Sequence, residues 1–248
     1  MPEGGPAYSV IVPAYNEEDL LPGTLAAIRE AMAGVPLPGE IIVCDNNSTD
    51  RTAAVARAAG ATVAFEPHNQ ISRARNSGAR VARGRHLVFV DADTRVPPET
   101  LLQAVSLLEA GEAVGGGSLL EFEGPSGRMG AAMVRVWTWI SRRFRLAAGS
   151  FVFVRRDAFE AVGGFSERVY AAEEIWLSRA VRRWGKSRHL PFVVLDGAPV
   201  RTSGRKLDWF SPWSLLATMA LLGVCPPLAR SRAFCRVWYS RPAAKAAA

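Results

Sequence analysis

The chain has 248 residues, 49% of them hydrophobic, and its 30 Lys and Arg against 23 Asp and Glu leave it at +7. That composition excludes a disordered acidic tail and a collagen-like chain, and the length allows one or two domains with a core of their own. The three cysteines, Cys44, Cys225 and Cys235, form no Cys-x-x-Cys pair and are odd in number, so they indicate neither a disulfide framework nor a structural zinc site. A reducing compartment is expected. The charge is unevenly divided: residues 1–127 hold 9 basic and 16 acidic side chains, residues 128–248 hold 21 and 7, and all seven Trp lie from Trp137 to Trp238. A basic, aromatic second half is suited to an anionic partner.

Residues 1–6 are rich in Pro and Gly and carry no positive n-region, and the apolar run 7–13 is too short for an h-region, so no signal peptide is expected. Residues 8–13 read as a buried strand closed by Pro13, and Asn16 to Glu18 open a helix through about residue 32. Residues 40–44 repeat the strand, Ser48 to Asp50 supply polar caps, and 51–59 read as a helix closed by Gly60. A strand at 61–65, a helix at 71–83 ended by Gly84, and a strand at 86–90 follow, the last running into Asp91-Ala92-Asp93. After Val96-Pro97-Pro98 comes a helix to about residue 108, and the Gly115-Gly116-Gly117 run marks a change of regime. Residues 128–146 mix apolar and basic side chains at helical spacing, 151–154 read as a strand, 173–184 as a helix ended by Gly185, and 191–195 as a last strand. Strand and helix alternate, which predicts an α/β fold with a mostly parallel central sheet flanked by helices. Residues 209–228 are apolar and aromatic, but Pro212, Pro226 and Pro227 leave only about 13 uninterrupted residues, fewer than the ~20 that span a bilayer. This apolar C-terminal extension is expected to lie on a membrane rather than cross one.

In open parallel sheets, ligands bind beyond the carboxyl ends of the strands. Three such ends carry acidic or polar groups: Tyr15-Asn16-Glu17, Asp45-Asn46-Asn47 and Asp91-Ala92-Asp93. Asp91 and Asp93 offer hard oxygen ligands suited to Mg²⁺ or Mn²⁺ that also binds phosphate oxygens. An isolated Asp-x-Asp is more often a turn former, and the weight comes from three ends in register.

In their order, these residues resemble the inverting family 2 glycosyltransferases of the GT-A fold. The matching segments are Ser9 to Glu18, Val43 to Asp50, Ala74-Arg75-Asn76, Asp91-Ala92-Asp93, Gly163 to Glu167 and Glu173-Glu174, spread over residues 7–206. The resemblance implies that Pro13, Ala14, Tyr15 and Glu17 hold the nucleotide, with Asp45 as the first acid of the family's Asp-Asp-Gly-Ser segment. Asn46 and Asn47 depart from that segment, which leaves the base open among UDP, GDP and dTDP sugars. Asp91, Ala92 and Asp93 match the metal and diphosphate motif, with Asp93 the direct ligand of a divalent cation, Mn²⁺ or Mg²⁺, and Asp91 beside it. Arg73 or Arg75 would lie near the nucleotide. Glu174 aligns with the catalytic base and Glu173 is the alternative; neighbouring helical residues point about 100° apart, so one of them faces the site. The family's later metal-binding histidine has no counterpart; Arg205 and Lys206 stand in that region and would clamp diphosphate. Gly149, Ser150 and Trp176 would line the acceptor side.

The implied activity is transfer of one sugar, with inversion, from a nucleotide-diphosphate donor to an acceptor hydroxyl, free or lipid-linked. The segment 205–209 lacks the Gln-x-x-Arg-Trp pattern of polymerising members, which favours a single transfer. Residues 1–115 would form the donor half, 116–206 the acceptor and catalytic-base half, and 207–248 a tail able to meet a membrane. The expected place is the cytoplasm, peripheral on the inner face of the membrane, where Arg142, Arg143 and Arg145 beside Trp137 and Trp139 suit an anionic surface. A sugar-phosphate nucleotidyltransferase is disfavoured because no Gly-rich, Lys-containing phosphate loop follows the first strand. A non-catalytic anionic-surface module, and nucleic acid as a partner, are disfavoured because the carboxylate-rich first half would repel a polyanion.

Overall fold

The computed structural model describes residues 4–123, 127–205, 209 and 212–239. The sheet has eight strands: β1 (Tyr8–Ala14), β2 (Gly39–Asp45), β3 (Thr62–Phe65), β4 (His86–Val90), β5 (Thr94–Arg95), β6 (Gly115–Glu123), β7 (Phe151–Arg155) and β8 (Phe192–Ser203). Their spatial order is β3-β2-β1-β4-β7-β6-β8-β5. The pairs β1–β2, β2–β3, β1–β4 and β6–β8 run parallel, while β4–β7, β6–β7 and β5–β8 run antiparallel. The expected α/β sheet is therefore present, with its antiparallel pairs confined to the later strands.

The helices are α1 (Leu21–Ala33), α2 (Thr52–Ala58), α3 (Ile71–Val81), α4 (Pro98–Glu109), α5 (Gly127–Phe144), α6 (Arg156–Ala161), α7 (Glu173–Lys186), α8 (Pro212–Val224) and α9 (Arg236–Tyr239), with a 3₁₀ turn at Pro226–Arg230. Strand alternation divides the core between two faces. Tyr8, Val10 and Val12 of β1, Val88 and Val90 of β4 and Phe151 and Phe153 of β7 pack with α1 and α4. Ile11, Leu87, Phe89, Val152 and Val154 point the other way, into a cluster with Ala79 of α3, Phe159 of α6 and Leu177 of α7. Both faces are covered, so the strands read as continuous apolar runs, and each buried large side chain contributes about 1.5–3 kcal/mol.

Several boundaries differ from the sequence reading for physical reasons. The first helix begins at Leu21, not at Asn16, because residues 16–18 spend their backbone N–H groups on the neighbouring loop: Asn16 donates to Ser48 Oγ at 3.0 Å, Glu17 to Thr52 Oγ1 at 2.7 Å and Glu18 to Asp50 Oδ2 at 3.2 Å. The last strand continues to Ser203 because β6 gives it a parallel partner from Gly115↔Phe192 to Glu123↔Ser203, across a register shift between Ser118 and Leu120. Gly115-Gly116-Gly117 lies in mid-sheet between β7 and β8. A Cβ at Gly116 would collide with the Val193 carbonyl and the Phe153 ring, so the glycine marks close approach rather than a turn.

Gly116→Val is expected to destabilise the fold by about 3 kcal/mol through overpacking. A fall in the urea midpoint with an unchanged m-value checks it; an unchanged midpoint contradicts the close packing.

Candidate active site

β1 pairs with β2 on one side and β4 on the other, so chain order reverses between β1 and β4, and the carboxyl ends of both open into the same crevice. The register that sets Ile11 opposite Phe89 brings the Tyr15–Glu17 loop out beside Asp91–Asp93. Asp45 ends β2, is buried, and accepts from the Ser48 backbone N–H at 3.1 Å. Asn46 donates to the carbonyls of Glu66 (3.1 Å) and His68 (2.6 Å) and accepts from the Gln70 N–H (2.9 Å). Its amide thus ties the end of β2 to the entry of α3, a task an Asp, which only accepts, would leave undone.

The centre of the crevice is Arg75, 2% exposed. It donates to Glu173 Oε1 at 2.7 Å, to Asp91 Oδ1 at 2.8 Å and to the Gly149 carbonyl at 2.9 Å, and its guanidinium lies 5.1 Å from the Phe165 ring centroid. Burial opposes its charge, but the Asp91 and Glu173 carboxylates outweigh that and hold its pKa above the ordinary arginine value. Arg73 turns elsewhere: it pairs with Glu167 at 3.2 Å and with Gln70 Oε1 at 3.1 Å and lines neither cavity of the site. Of the two arginines singled out in the sequence, Arg75 is the one that lines the crevice.

Glu173 is buried and committed to Arg75, whereas Glu174 keeps some exposure and faces the cavity beside it. Burial, then the Glu173 charge, pushes the Glu174 carboxyl up to about 8, against a lowering by Arg75.

On the opposite wall, Arg205 follows β8 and grips Glu17 with both terminal nitrogens, one at 2.8 Å, and reaches Asp93 Oδ2 at 3.1 Å. Its guanidinium is 5.3 Å from the Trp209 ring centroid. Desolvation opposes its charge; the bonds to Glu17 and the Asp93 carboxylate outweigh it and raise its pKa. Lys206 lies outside the described residues. Trp176, expected on the acceptor side, is 42% exposed on α7 and lines neither cavity.

Two cavities adjoin here. The first is lined by Pro13, Ala14, Tyr15, Glu17, Asn46 and Arg205 among others, the second by Gly149, Ser150, Glu173, Glu174, Thr202 and Met133 among others, with Asp91 and Asp93 in both. Ser150 Oγ is buried without a hydrogen-bond partner in the protein. Ile71, Val237, Trp238 and Tyr239 also line the site and were missed in the sequence; the only signal was the aromatic pair Trp238-Tyr239 in the basic half. Among the described residues, no three or more His, Cys, Asp or Glu side chains form a cage for a metal ion. Asp91 and Asp93, with Thr202 Oγ1 3.4 Å from Asp93 Oδ1, are nonetheless hard oxygen donors that fit a cation shared with phosphate oxygens, which commonly needs only one or two carboxylates.

A carboxyl whose pKa rises from 4.5 to about 8 on folding contributes stability below about pH 4.5 that is lost as the pH climbs through 8. Glu174→Gln removes that loss. Its melting temperature is therefore expected to gain on the wild type as pH rises from 5 to 8.5; parallel melting curves across this range would refute the raised pKa.

The model of glycosyl transferase family 2 matches residues 9–163. An uncharacterised glycosyltransferase of Mycobacterium tuberculosis is 33% identical over 138 residues, which cover 56% of this chain and 56% of the relative, so the chain spans about half the length of that relative. Glycosyltransferase AglE of Haloferax volcanii is 30% identical over 216 residues, 82% of this chain and 70% of AglE. The fold is similar to that of the mannosyltransferase PcManGT from Pyrobaculum calidifontis, solved with GDP-Man and Mn²⁺, at TM-score 0.65 and 20% identity over 98% of this chain and 67% of that one. The strand-end carboxylates, the ordered segments and these likenesses converge on one assignment: the chain belongs to glycosyl transferase family 2 and has the GT-A fold.

Proposed function

We propose that the protein moves one sugar from a nucleotide-diphosphate donor to an acceptor hydroxyl with inversion. The observation that carries this reading is the junction of the two cavities: Asp91 and Asp93 line both, and Glu174, with its raised pKa, opens onto the second. The first cavity takes the nucleotide and diphosphate, the base of UDP, GDP or dTDP lying in the Tyr15 loop. The second takes the acceptor, with Ser150 Oγ available to it.

Ionised Glu174 accepts the acceptor hydroxyl's proton while the oxygen bonds to the anomeric carbon and the bond from that carbon to the diphosphate oxygen breaks on the opposite side. The electron pair leaves on the nucleoside diphosphate. Arg205, close to Asp93, offers positive charge to that leaving group. Asp93 and Asp91 would hold a divalent cation, Mn²⁺ or Mg²⁺, which when bound would supply further neutralisation of the leaving group. Glu173 keeps Arg75 in place and leaves the base role to Glu174. On this reading, residues 1–115 supply most donor contacts and 116–206 the base and acceptor wall.

The acceptor reading extends to a lipid-linked molecule met at an anionic, cytoplasmic membrane face. Support comes from α5, where Val136 is 58% and Trp139 63% exposed among Arg135, Arg142 and Arg143. Interfacial helices combine such apolar and basic groups. None of the described helices is long and apolar enough to cross a membrane.

Two measurements test these proposals. With a nucleotide sugar that the wild type turns over, kcat/KM is expected to rise with pH up to about 8, following ionisation of Glu174, and Glu174→Gln and Asp93→Ala each to lose at least about 100-fold. Undiminished activity in both variants, or pyrophosphate release from sugar phosphate and nucleoside triphosphate, would overturn the transfer mechanism. In co-sedimentation, the wild type should bind phosphatidylglycerol liposomes but not phosphatidylcholine ones, and Trp139→Ser with Arg142→Ser should abolish binding; equal binding by the variant would reject α5 as the contact.

A further inference from the structure

The two cavities share five lining residues: Ile71, Asp91, Asp93, Val237 and Trp238. Two bear carboxylates and three are apolar. Under the proposed reaction, a glycosyl group bonded to diphosphate near Asp93 and attacked from the Glu174 side has to occupy this junction. A sugar ring offers hydroxyls at its edge and C–H groups on its faces. Asp91 and Asp93 suit the hydroxyls, and an indole ring suits a C–H face, since aromatic side chains combine large apolar area with a defined geometry.

Trp238 is braced on both sides in the chain. Cys235 and Val237 are buried. The Tyr239 hydroxyl accepts from the Ile71 backbone N–H at 3.4 Å, at the start of α3, a helix with no side-chain cap of its own. The Tyr239 ring meets Tyr170 edge-on at 5.7 Å, and the Arg232 guanidinium lies 5.5 Å from its centroid. The Tyr170 N–H in turn donates to the Ala229 carbonyl at 2.6 Å. Desolvation raises the Tyr239 pKa, so its hydroxyl stays protonated throughout the neutral range. Held this way, α9 presents Trp238 at the junction of the two cavities.

We propose that Trp238 is the platform on which the transferred glycosyl group rests, and so a residue that determines donor-sugar specificity. The proposal rests on the donor assignment above, and the experiment separates the two. Calorimetric titration with Mn²⁺ present compares UDP, GDP and dTDP with UDP-glucose, GDP-mannose and dTDP-glucose, for the wild type, Trp238→Ala and Trp238→Phe.

A wild type that binds none of the six ligands removes the donor reading and this proposal with it. Where the wild type binds a nucleotide and its sugar conjugate, Trp238→Ala is expected to weaken the conjugate about tenfold while the bare nucleoside diphosphate changes less than about twofold, with Trp238→Phe near the wild type. Equal loss for both ligands would make Trp238 a structural support, and no loss for either would take it out of the site. Each of those results overturns the platform.

Discussion

A single guanidinium, that of Arg75, holds the crevice together. It is fully buried on α3 and reaches the end of β4 through Asp91, the start of α7 through Glu173 and the turn before β7 through the Gly149 carbonyl. Burying a charge costs several kcal/mol, and removing one partner of such a pair typically costs about 3–5 kcal/mol because the other is stranded. The two carboxylates and the carbonyl offset that cost only when all three elements are in place. The positions of Asp91 and Glu173 are consequently not independent of one another, and the Asp91–Asp93 segment and the Glu173-Glu174 pair are set by the same contact.

That node also explains the division of labour between two neighbouring acids. Glu173 is taken up by Arg75, whose guanidinium donates to it at 2.7 Å. Glu174, next along the helix and turned toward the cavity, has its pKa raised first by burial and then by the negative charge of Glu173, against the help of Arg75. A fixed negative neighbour and low polarity are what make a carboxylate basic enough to accept a hydroxyl proton near neutral pH. α7 begins at Glu173 directly after Ala172, whose φ is +61°, a left-handed conformation uncommon for a residue with a Cβ.

Much of the frame was legible because its signals are local. Residues 86–90 are apolar without a break and end on Asp91, and the α3 boundary at Ile71 follows from its own periodicity. What stayed hidden depended on partners far along the chain. Gly115-Gly116-Gly117 reads as a breaker in one dimension, yet its meaning is the nearness of Phe153 and Val193. Arg73 and Arg75 look alike in sequence and differ only in which side of α3 they occupy. Arg205 had no visible partner, since Glu17 lies 188 positions away. Asn46 seemed a departure from a familiar segment, and its three bonds to residues 66–70 give that departure a structural purpose.

The return of Val237, Trp238 and Tyr239 to the crevice bears on how the molecule is made. Protein synthesis delivers β1 to β4 first, and those parallel strands with α1 and α3 already contain Glu17, Asp45, Arg75, Asp91 and Asp93. Arg75 then waits for Glu173, Glu17 for Arg205, and the junction for Trp238. Glu17 meets Arg205 and Arg75 meets Glu173 only once those later residues have been made, so the site is completed by segments far apart in the chain.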